Sequence, residues 1–127
     1  MPEPVRTRLR LGRKQRLTQG RDFRRARAEG LRMPWGCMLA NWNPTPSLRL
    51  GVITSRRIGN AVVRNRSRRL LREVFRRHQH ELAGAVDLVL VARSSILGKD
   101  YAAVERDFLA GLRRARLWQA PPAVARA

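Results

Sequence analysis

Apolar residues recur at helical spacing in two stretches of this chain, one near the middle and one near the end. At about 100° per residue, six side chains of the middle stretch fall within one arc of roughly 100°. They are Val63, Ser67, Leu70, Leu71, Val74 and His78. With Asn60 as a candidate N-cap and Gly84 as a candidate stop, this pattern predicts a helix over residues 61–82. A second helix is predicted over residues 100–117, where the apolar residues are Val104, Phe108, Leu112 and Ala115.

Short apolar runs predict three strands. Residues 36–42 and 48–55 are separated by the turn-rich segment 43–47, so they are predicted to form a β-hairpin. Alternation along the second run places four residues on one face and leaves the other face more open. The four are Leu48, Leu50, Val52 and Thr54. Residues 86–92, which read VDLVLVA, are predicted to form a buried strand.

A short helix is predicted before the strands, with Thr18 as candidate N-cap and Gly30 at its end. The elements then follow the order α-β-β-α-β-α in one small α+β domain over residues 17–118. Residues 1–16 are predicted to form a flexible basic arm, and residues 119–127 a disordered tail. If the last two strands pair in parallel, they form a βαβ crossover with the helix between them. Such crossovers are right-handed in nearly all proteins.

The charge of the chain adds a function to this outline. The sequence has 28 Lys and Arg against 9 Asp and Glu, for a formal net charge of +19. Residues 56–77 hold nine arginines and a single acid, Glu73, so we call the predicted helix the arginine helix. Arginines four residues apart repel one another and destabilise a free helix. A solvated face usually mixes both signs, and this face therefore predicts a phosphate-rich partner, RNA or DNA.

No group of residues has the pattern of a protein catalytic or metal site. His78 and His80 are two positions apart, so on a helix they point about 200° away from each other and cannot share a metal. The nine acids are scattered, and the sequence has no P-loop, GxGxxG or HExxH motif. Cys37 is the single cysteine and is predicted to be a small core residue.

Phe23 is the aromatic residue with the most basic surroundings. Its neighbours include Arg21, Arg24, Arg25 and Arg27. An exposed aromatic ring in such a cluster suits stacking on an unpaired nucleotide. A core position is the alternative, and both stay open. Phe75 and Phe108 lie at the edge of or within apolar arcs, so both are predicted to be core residues.

The arginine helix and the segment before it carry a specific motif. Residues 57–62 read RIGNAV and residues 64–70 read RNRSRRL. Together they resemble the signature of the bacterial ribonuclease P protein subunit, a basic pair and I-G-N-A-V followed by R-N-R-x-[KR]-R-x-x-R. Further similar segments are 17–23, 50–55 and 87–94, and the resemblance covers about residues 8–117. It implies an RNA-binding set that comprises Arg56, Arg57, Asn60, Arg64, Asn65, Arg66, Arg68, Arg69 and Arg72.

The resemblance also implies a fold and a mechanism. The expected fold is α+β, with a mostly antiparallel central sheet and a left-handed βαβ crossover through the arginine helix, and we adopt this hand over the base rate. The expected role is the protein subunit of a ribonucleoprotein endonuclease. A separate catalytic RNA removes the 5′ leader of precursor tRNA, with Mg²⁺ held mainly by that RNA. No obligate protein partner is expected.

The family holds the single-stranded leader in a cleft between helices and sheet. The cleft positions implied here are Phe23, Arg27, Asn41, Trp42 and Arg49. Two of them depart from the family, since Arg27 replaces a second helix aromatic and Asn41 replaces a strand aromatic. Stacking on the leader then rests on Phe23 alone, or Trp42 substitutes if the strand register is shifted by one residue.

Three other functions are weighed against this one. A ribosomal or other structural RNA-binding protein would bind folded RNA without promoting tRNA processing. A protein-only nuclease needs clustered carboxylates or histidines, which the sequence lacks. A membrane-active cationic protein needs apolar faces throughout. No apolar run approaches the ~20 residues that span a bilayer, and no secretory signal pattern is visible, so a cytoplasmic protein is expected.

Overall fold

The computed structural model describes residues 15–120 as three helices around a four-stranded sheet. In chain order the elements are α1 (Gly20–Glu29), β1 (Leu31–Trp35), β2 (Met38–Pro44), β3 (Arg49–Ile53), α2 (Ala61–His78), β4 (Val86–Ala92) and α3 (Tyr101–Arg114). Short 3₁₀ helices lie at Arg56–Ile58, Gln79–Glu81 and Ser94–Ile96. The α+β class is confirmed, and the predicted order of elements gains one strand, β1.

The order of strands in the sheet is β1-β2-β4-β3. β1 pairs antiparallel with β2, β2 pairs antiparallel with β4, and β3 pairs parallel with β4. The mostly antiparallel sheet and the parallel pair around the arginine helix are therefore confirmed. The hand of this crossover stays a prediction.

The predicted hairpin between residues 36–42 and 48–55 is wrong. β2 and β3 are not neighbours, and the hairpin joins β1 to β2 through a turn at Gly36 and Cys37, where Gly36 has a φ of 62°. β4 takes an internal position between β2 and β3 because its apolar residues are buried on both faces. β1 was missed because Arg32 and Pro34 interrupt the apolar residues of its short sequence, LRMPW, and a proline argues against a strand.

Each face of the sheet has its own core. On one face α2 and α3 pack against Leu50, Leu88 and Leu90, all of which are buried. On the other face α1 contributes Ala26 to a smaller cluster with Leu17 and Val89. The sheet thus separates α1 from the arginine helix. The predicted alternation along the second strand is confirmed, since Leu50 and Ile53 belong to opposite clusters.

Helix ends follow their capping residues, with two corrections. Asn60 Oδ1 accepts a hydrogen bond from Val63 N, as predicted for the N-cap of α2. α1 begins at Gly20 after an N-cap at Gln19 that makes no side-chain bond, so Thr18 is not the cap. α2 ends at His78 and tightens into the 3₁₀ helix Gln79–Glu81, before the predicted stop at Gly84.

Both ends of the described chain are bonded to the domain. Arg16 forms a parallel bridge with Leu50, and the backbone N–H of Gln119 donates to the Glu81 carbonyl. Residues 15–16 of the predicted arm and Gln119 of the predicted tail therefore belong to the fold. Residues 1–14 and 121–127, which carry the rest of both predictions, lie outside the described residues.

Candidate nucleic-acid interface

The arginine helix α2 has one buried face and one basic face. Its buried residues are Ser67, Leu71, Val74 and Phe75, which confirms the predicted apolar arc and the core position of Phe75. Ser67 is tolerated on this face because its buried hydroxyl donates to the Val63 carbonyl one turn earlier in the same helix. Arg66, Arg69 and Arg72 are exposed on the remaining surface. The helix therefore docks by its apolar residues and presents guanidinium groups outward.

The start of α2 brings the predicted signature residues together. Arg56 and Arg57 are exposed on the 3₁₀ helix that precedes Gly59. Gly59 has a φ of 144°, in the region that favours glycine, and its carbonyl accepts a hydrogen bond from Arg64 Nη1 at 3.0 Å. This turn directs the chain into the helix and places the basic pair beside its first turn.

A hollow of about 430 Å³ extends the basic face of α2 toward the edge of the sheet. Its lining residues are Arg16, Asn65, Arg68, Arg69, Arg72, Glu73 and Arg76. Partial desolvation of the guanidinium in this hollow, followed by the positive charges of Arg16 and Arg68, lowers the pKa of Arg72, although the residue as a whole is exposed. An anion in this hollow would relieve that repulsion, so the site suits the phosphates of a polynucleotide.

Arg16 was missed because it was assigned to the flexible arm. The parallel bridge to Leu50 fixes its backbone at the open edge of β3, next to α2. The signal that would have found it is the buried Leu17 that follows, which anchors this segment to the sheet.

Glu73 organises the far end of the arginine face. Its carboxylate accepts hydrogen bonds from Arg76 Nε and Nη2, at 3.0 and 2.7 Å, and from Arg77 Nε at 2.7 Å. These hydrogen bonds, that from Arg76 first, lower the pKa of Glu73 to about 2. The single acid of the helix therefore stays ionised and fixes the direction of two guanidinium groups.

A narrower cleft lies on the opposite face of the sheet, beside α1. It has a volume of about 130 Å³ and is lined by Phe23, Arg24, Arg27, Arg32, Leu39, Asn41, Ile53, Val89 and Val91. The Phe23 ring is half-buried, packs against the smaller core cluster and also borders the cleft. Both alternatives for Phe23 thus describe part of its position.

The structure decides between Asn41 and Trp42. Asn41 lines the cleft, where its Nδ2 donates to the Leu31 carbonyl at 2.8 Å. Trp42 points to the other face of β2 and is buried in the main core, with its ring 5.7 Å from that of Trp35. The prediction of Trp42 as a cleft residue is wrong, because neighbouring side chains on a strand point to opposite faces.

Arg49 is the second correction to the predicted cleft. Its Nε and Nη2 donate to the two carboxylate oxygens of Asp87, at 2.9 and 2.8 Å, and its Nη1 lies 3.5 Å from Asp22 Oδ2. The hydrogen bonds to Asp87 raise the pKa of Arg49. Arg49 thus ties α1 to the sheet and is not among the residues that line the cleft.

Arg24 and Arg32 are cleft residues that sequence reasoning did not select. Arg24 was visible as a neighbour of Phe23. Arg32 lies on the missed strand β1, opposite Asn41 in the register, so no pattern in the sequence pointed to it. Together with Arg27 they surround an apolar floor with positive charge.

The histidines and carboxylates do not gather into a metal site within the described part of the chain. Over residues 15–120 no group of three or more His, Cys, Asp and Glu side chains could hold a metal ion. His78 instead lies between Glu81 and Glu105, while His80 is exposed. Cys37 is buried, as predicted, and burial raises the pKa of its thiol to about 12. Among these same residues, no helix has the length and apolar character needed to cross a membrane.

Comparisons with known proteins agree on one family. The family model described as Ribonuclease P matches residues 11–116. A ribonuclease P protein component from Syntrophomonas wolfei is 33% identical over 110 residues, which cover 85% of this chain and 92% of that protein. One from Chloroflexus aurantiacus is 36% identical over 109 residues, covering 84% and 81%.

Solved structures show the same fold. The RNase P protein from Staphylococcus aureus superimposes with a TM-score of 0.75 at 24% identity, covering 83% of this chain and 98% of that one. The RNase P protein from Thermotoga maritima gives a TM-score of 0.71 at 28% identity, covering 78% and 96%.

Proposed function

The chain belongs to the bacterial ribonuclease P protein family, and on that premise we propose that it binds a catalytic RNA and the 5′ leader of precursor tRNA in the cytoplasm. The complex removes the leader by endonucleolytic cleavage and leaves the mature 5′ end of the tRNA. The protein supplies binding and charge neutralisation, and the RNA supplies the reacting groups.

The observation that carries this proposal is the pair of basic surfaces on opposite faces of the sheet. The basic face of α2 is broad, and its hollow of about 430 Å³ is lined mainly by arginines, which suits the backbone of a folded RNA. The cleft beside α1 holds about 130 Å³ and combines a phenylalanine ring with arginines. A site of that size accepts a single strand and excludes a duplex, as binding of a leader requires.

In this proposal, the RNA binds the metal ions that the reaction requires. Mg²⁺ prefers several oxygen ligands, and the described residues offer no cluster of carboxylates to provide them. We therefore assign no step to a protein-bound ion. The part played by this chain is to hold the leader, to position the tRNA and to reduce repulsion between two RNA molecules.

A cleavage assay with precursor tRNA tests the proposal. The protein alone should leave the substrate intact at any Mg²⁺ concentration, while the cognate catalytic RNA should cleave at low Mg²⁺ only when the protein is added. Cleavage that co-purifies with the chain after ribonuclease-free repurification would show that the protein itself is the nuclease. A catalytic RNA that gains nothing from the protein would favour a structural RNA-binding role.

A further inference from the structure

A third hollow, of about 260 Å³, lies between α2 and α3. It is lined by Arg66, Arg69, Leu70, Glu73, Arg77 and Tyr101. Because α2 and α3 pack on the face of the sheet opposite α1, this hollow is separated by the sheet from the cleft that holds Phe23. It shares Arg69 and Glu73 with the larger basic hollow, so the two open along the same helix.

One wall of this hollow is a preformed stack of a cation on an aromatic ring. The guanidinium carbon of Arg77 lies 4.7 Å from the centre of the Tyr101 ring. Glu73 accepts a hydrogen bond from Arg77 Nε at 2.7 Å, which fixes the plane of the guanidinium group. The ring itself packs against the main core and is half-buried. Both partners are thus held in place before any ligand arrives.

The rest of the hollow joins an apolar floor to a basic rim. Leu70 is half-buried between the helices, and Arg66 and Arg69 are exposed at the opening. Arg66 Nη2 donates to the Lys99 carbonyl at 2.8 Å, which holds this arginine at the side of α3. The volume lies just below the ~300 Å³ at which pockets for drug-sized ligands begin, so it suits a small planar group.

We propose that the hollow between α2 and α3 binds one unpaired nucleotide of the catalytic RNA, with its base stacked on the open face of the Arg77 guanidinium, which the Tyr101 ring supports from the other side, and its phosphate on Arg66 and Arg69. Bases stack on guanidinium planes as well as on aromatic rings. The neighbouring phosphates of the same strand can then lie across Arg69 in the larger hollow. A duplex offers only phosphates here, so the site selects a base that has left the helical stack.

The inference rests on the proposed function for the identity of the RNA, and binding of the cognate catalytic RNA tests it first. Tyr101→Leu removes the ring that holds the Arg77 plane, so it should weaken binding severalfold, at most within the range of about 5- to 150-fold for loss of one stacked base. Tyr101→Phe keeps the ring and should bind within about twofold of the wild type.

A matched charge control is available on α3. Arg113 also lies over an aromatic ring, that of Trp118, at 4.9 Å, but it does not line this hollow. Arg77→Ala and Arg113→Ala each remove one positive charge and should therefore lose the same general attraction to RNA. Only Arg77→Ala should lower the affinity further, because only Arg77 lines the hollow. Equal affinities for these two variants, with Tyr101→Leu binding like Tyr101→Phe, would overturn the inference.

A second experiment locates the base directly. Tyr101 is the only tyrosine in the sequence, so incorporation of 3-fluorotyrosine places one fluorine label in the chain, at this hollow. A short oligoadenylate should shift the fluorine NMR signal, and should do so equally in the Phe23→Ala protein, whose cleft aromatic is removed. The same ribose–phosphate chain without bases should leave the signal in place.

Equal shifts with and without bases would mean that the hollow attracts phosphate only, and an unmoved signal would mean that no nucleotide enters. Either result overturns the inference. This experiment needs no catalytic RNA, so it tests nucleotide binding in the hollow even if the wild-type protein fails to bind that RNA. Such a failure would count against the proposed function alone.

Discussion

Phe23 owes its position to the glycine beneath it. A β-carbon at Gly51 would lie 2.5 Å from Cε1 and 2.8 Å from Cζ of the Phe23 ring. The ring therefore lies directly on the backbone of β3, and its outer edge borders the cleft. A single methyl group at position 51 would lift the ring into the space proposed for the leader.

Gly51→Ala should accordingly weaken binding of leader-bearing precursor tRNA to the holoenzyme by up to ~1–3 kcal/mol, the value of one stacked base. Binding of mature tRNA, which lacks a leader, should hardly change. Gly84→Ala is the matched control, because nothing lies within 4 Å of a β-carbon at Gly84. Parallel losses for both tRNAs, together with a lower Tm, would assign Phe23 to the core alone.

His78 is predicted to make the stability of the fold depend on pH. Its Nδ1 and Nε2 lie 2.5 Å from Glu81 Oε2 and 2.7 Å from Glu105 Oε2, and both nitrogens can donate only when the ring is protonated. Burial opposes protonation, but the hydrogen bonds to Glu81 and Glu105 outweigh it and raise the pKa of His78. Besides these two carboxylates, Tyr101, whose hydroxyl lies 3.5 Å from Glu105, is a titratable group at this site, and burial raises its pKa to about 12.

The folded state thus binds this proton more tightly than the unfolded state, so the stabilisation is complete below pH ~6.5 and is lost as pH rises through the raised pKa. His78→Gln should lower the free energy of unfolding by ~1–3 kcal/mol at pH 6 and by less at pH 9. Urea denaturation at several pH values measures this difference. A constant difference across the range would show that His78 acts by packing.

At the scale of elements, the arginine helix was the most predictable part of the molecule. The spacing of its apolar residues determined which face is buried, and Asn60 marked its start. The strands were less predictable, because pairing depends on contacts between residues far apart in sequence. β1 has no apolar run, and Arg32, which it carries into the cleft, was missed with it. Trp42 was misplaced by one residue, which on a strand means the opposite face.

Alanine at Arg64, Arg66 or Arg68 should leave the fold intact, because none of these residues is buried in the core. Each lost phosphate contact should reduce the slope of log affinity against log salt for the catalytic RNA by about 1. Leu71→Ala is the contrasting variant, since it removes a fully buried side chain and should cost ~2–5 kcal/mol of stability. Unchanged slopes in all three arginine variants would identify this face as merely solvated.

For the whole molecule, the net charge of +19 gives salt two opposite effects. Salt screens repulsion among the arginines, so the Tm of the free protein should rise as salt increases. Salt also reduces the free energy that is gained when counterions leave the RNA on binding, so the affinity for RNA should fall over the same range. Thermal melts and binding titrations in one salt series measure both. A Tm of the free protein that falls with salt would contradict the expected repulsion.

The position of β4 has a consequence for how the protein folds during its synthesis on the ribosome. β4 is made last of the four strands, yet it lies between β2 and β3 and is their shared partner. Until Ala92 has been synthesised, the β1–β2 hairpin and β3 have no common neighbour, and the nascent chain holds two unfinished edges. The sheet is then completed in one late step, in which β4 pairs with two strands that precede the arginine helix in the chain. A late step is expected for pairings between segments distant in sequence. During that interval, electrostatic repulsion between the positively charged chains opposes their association with one another.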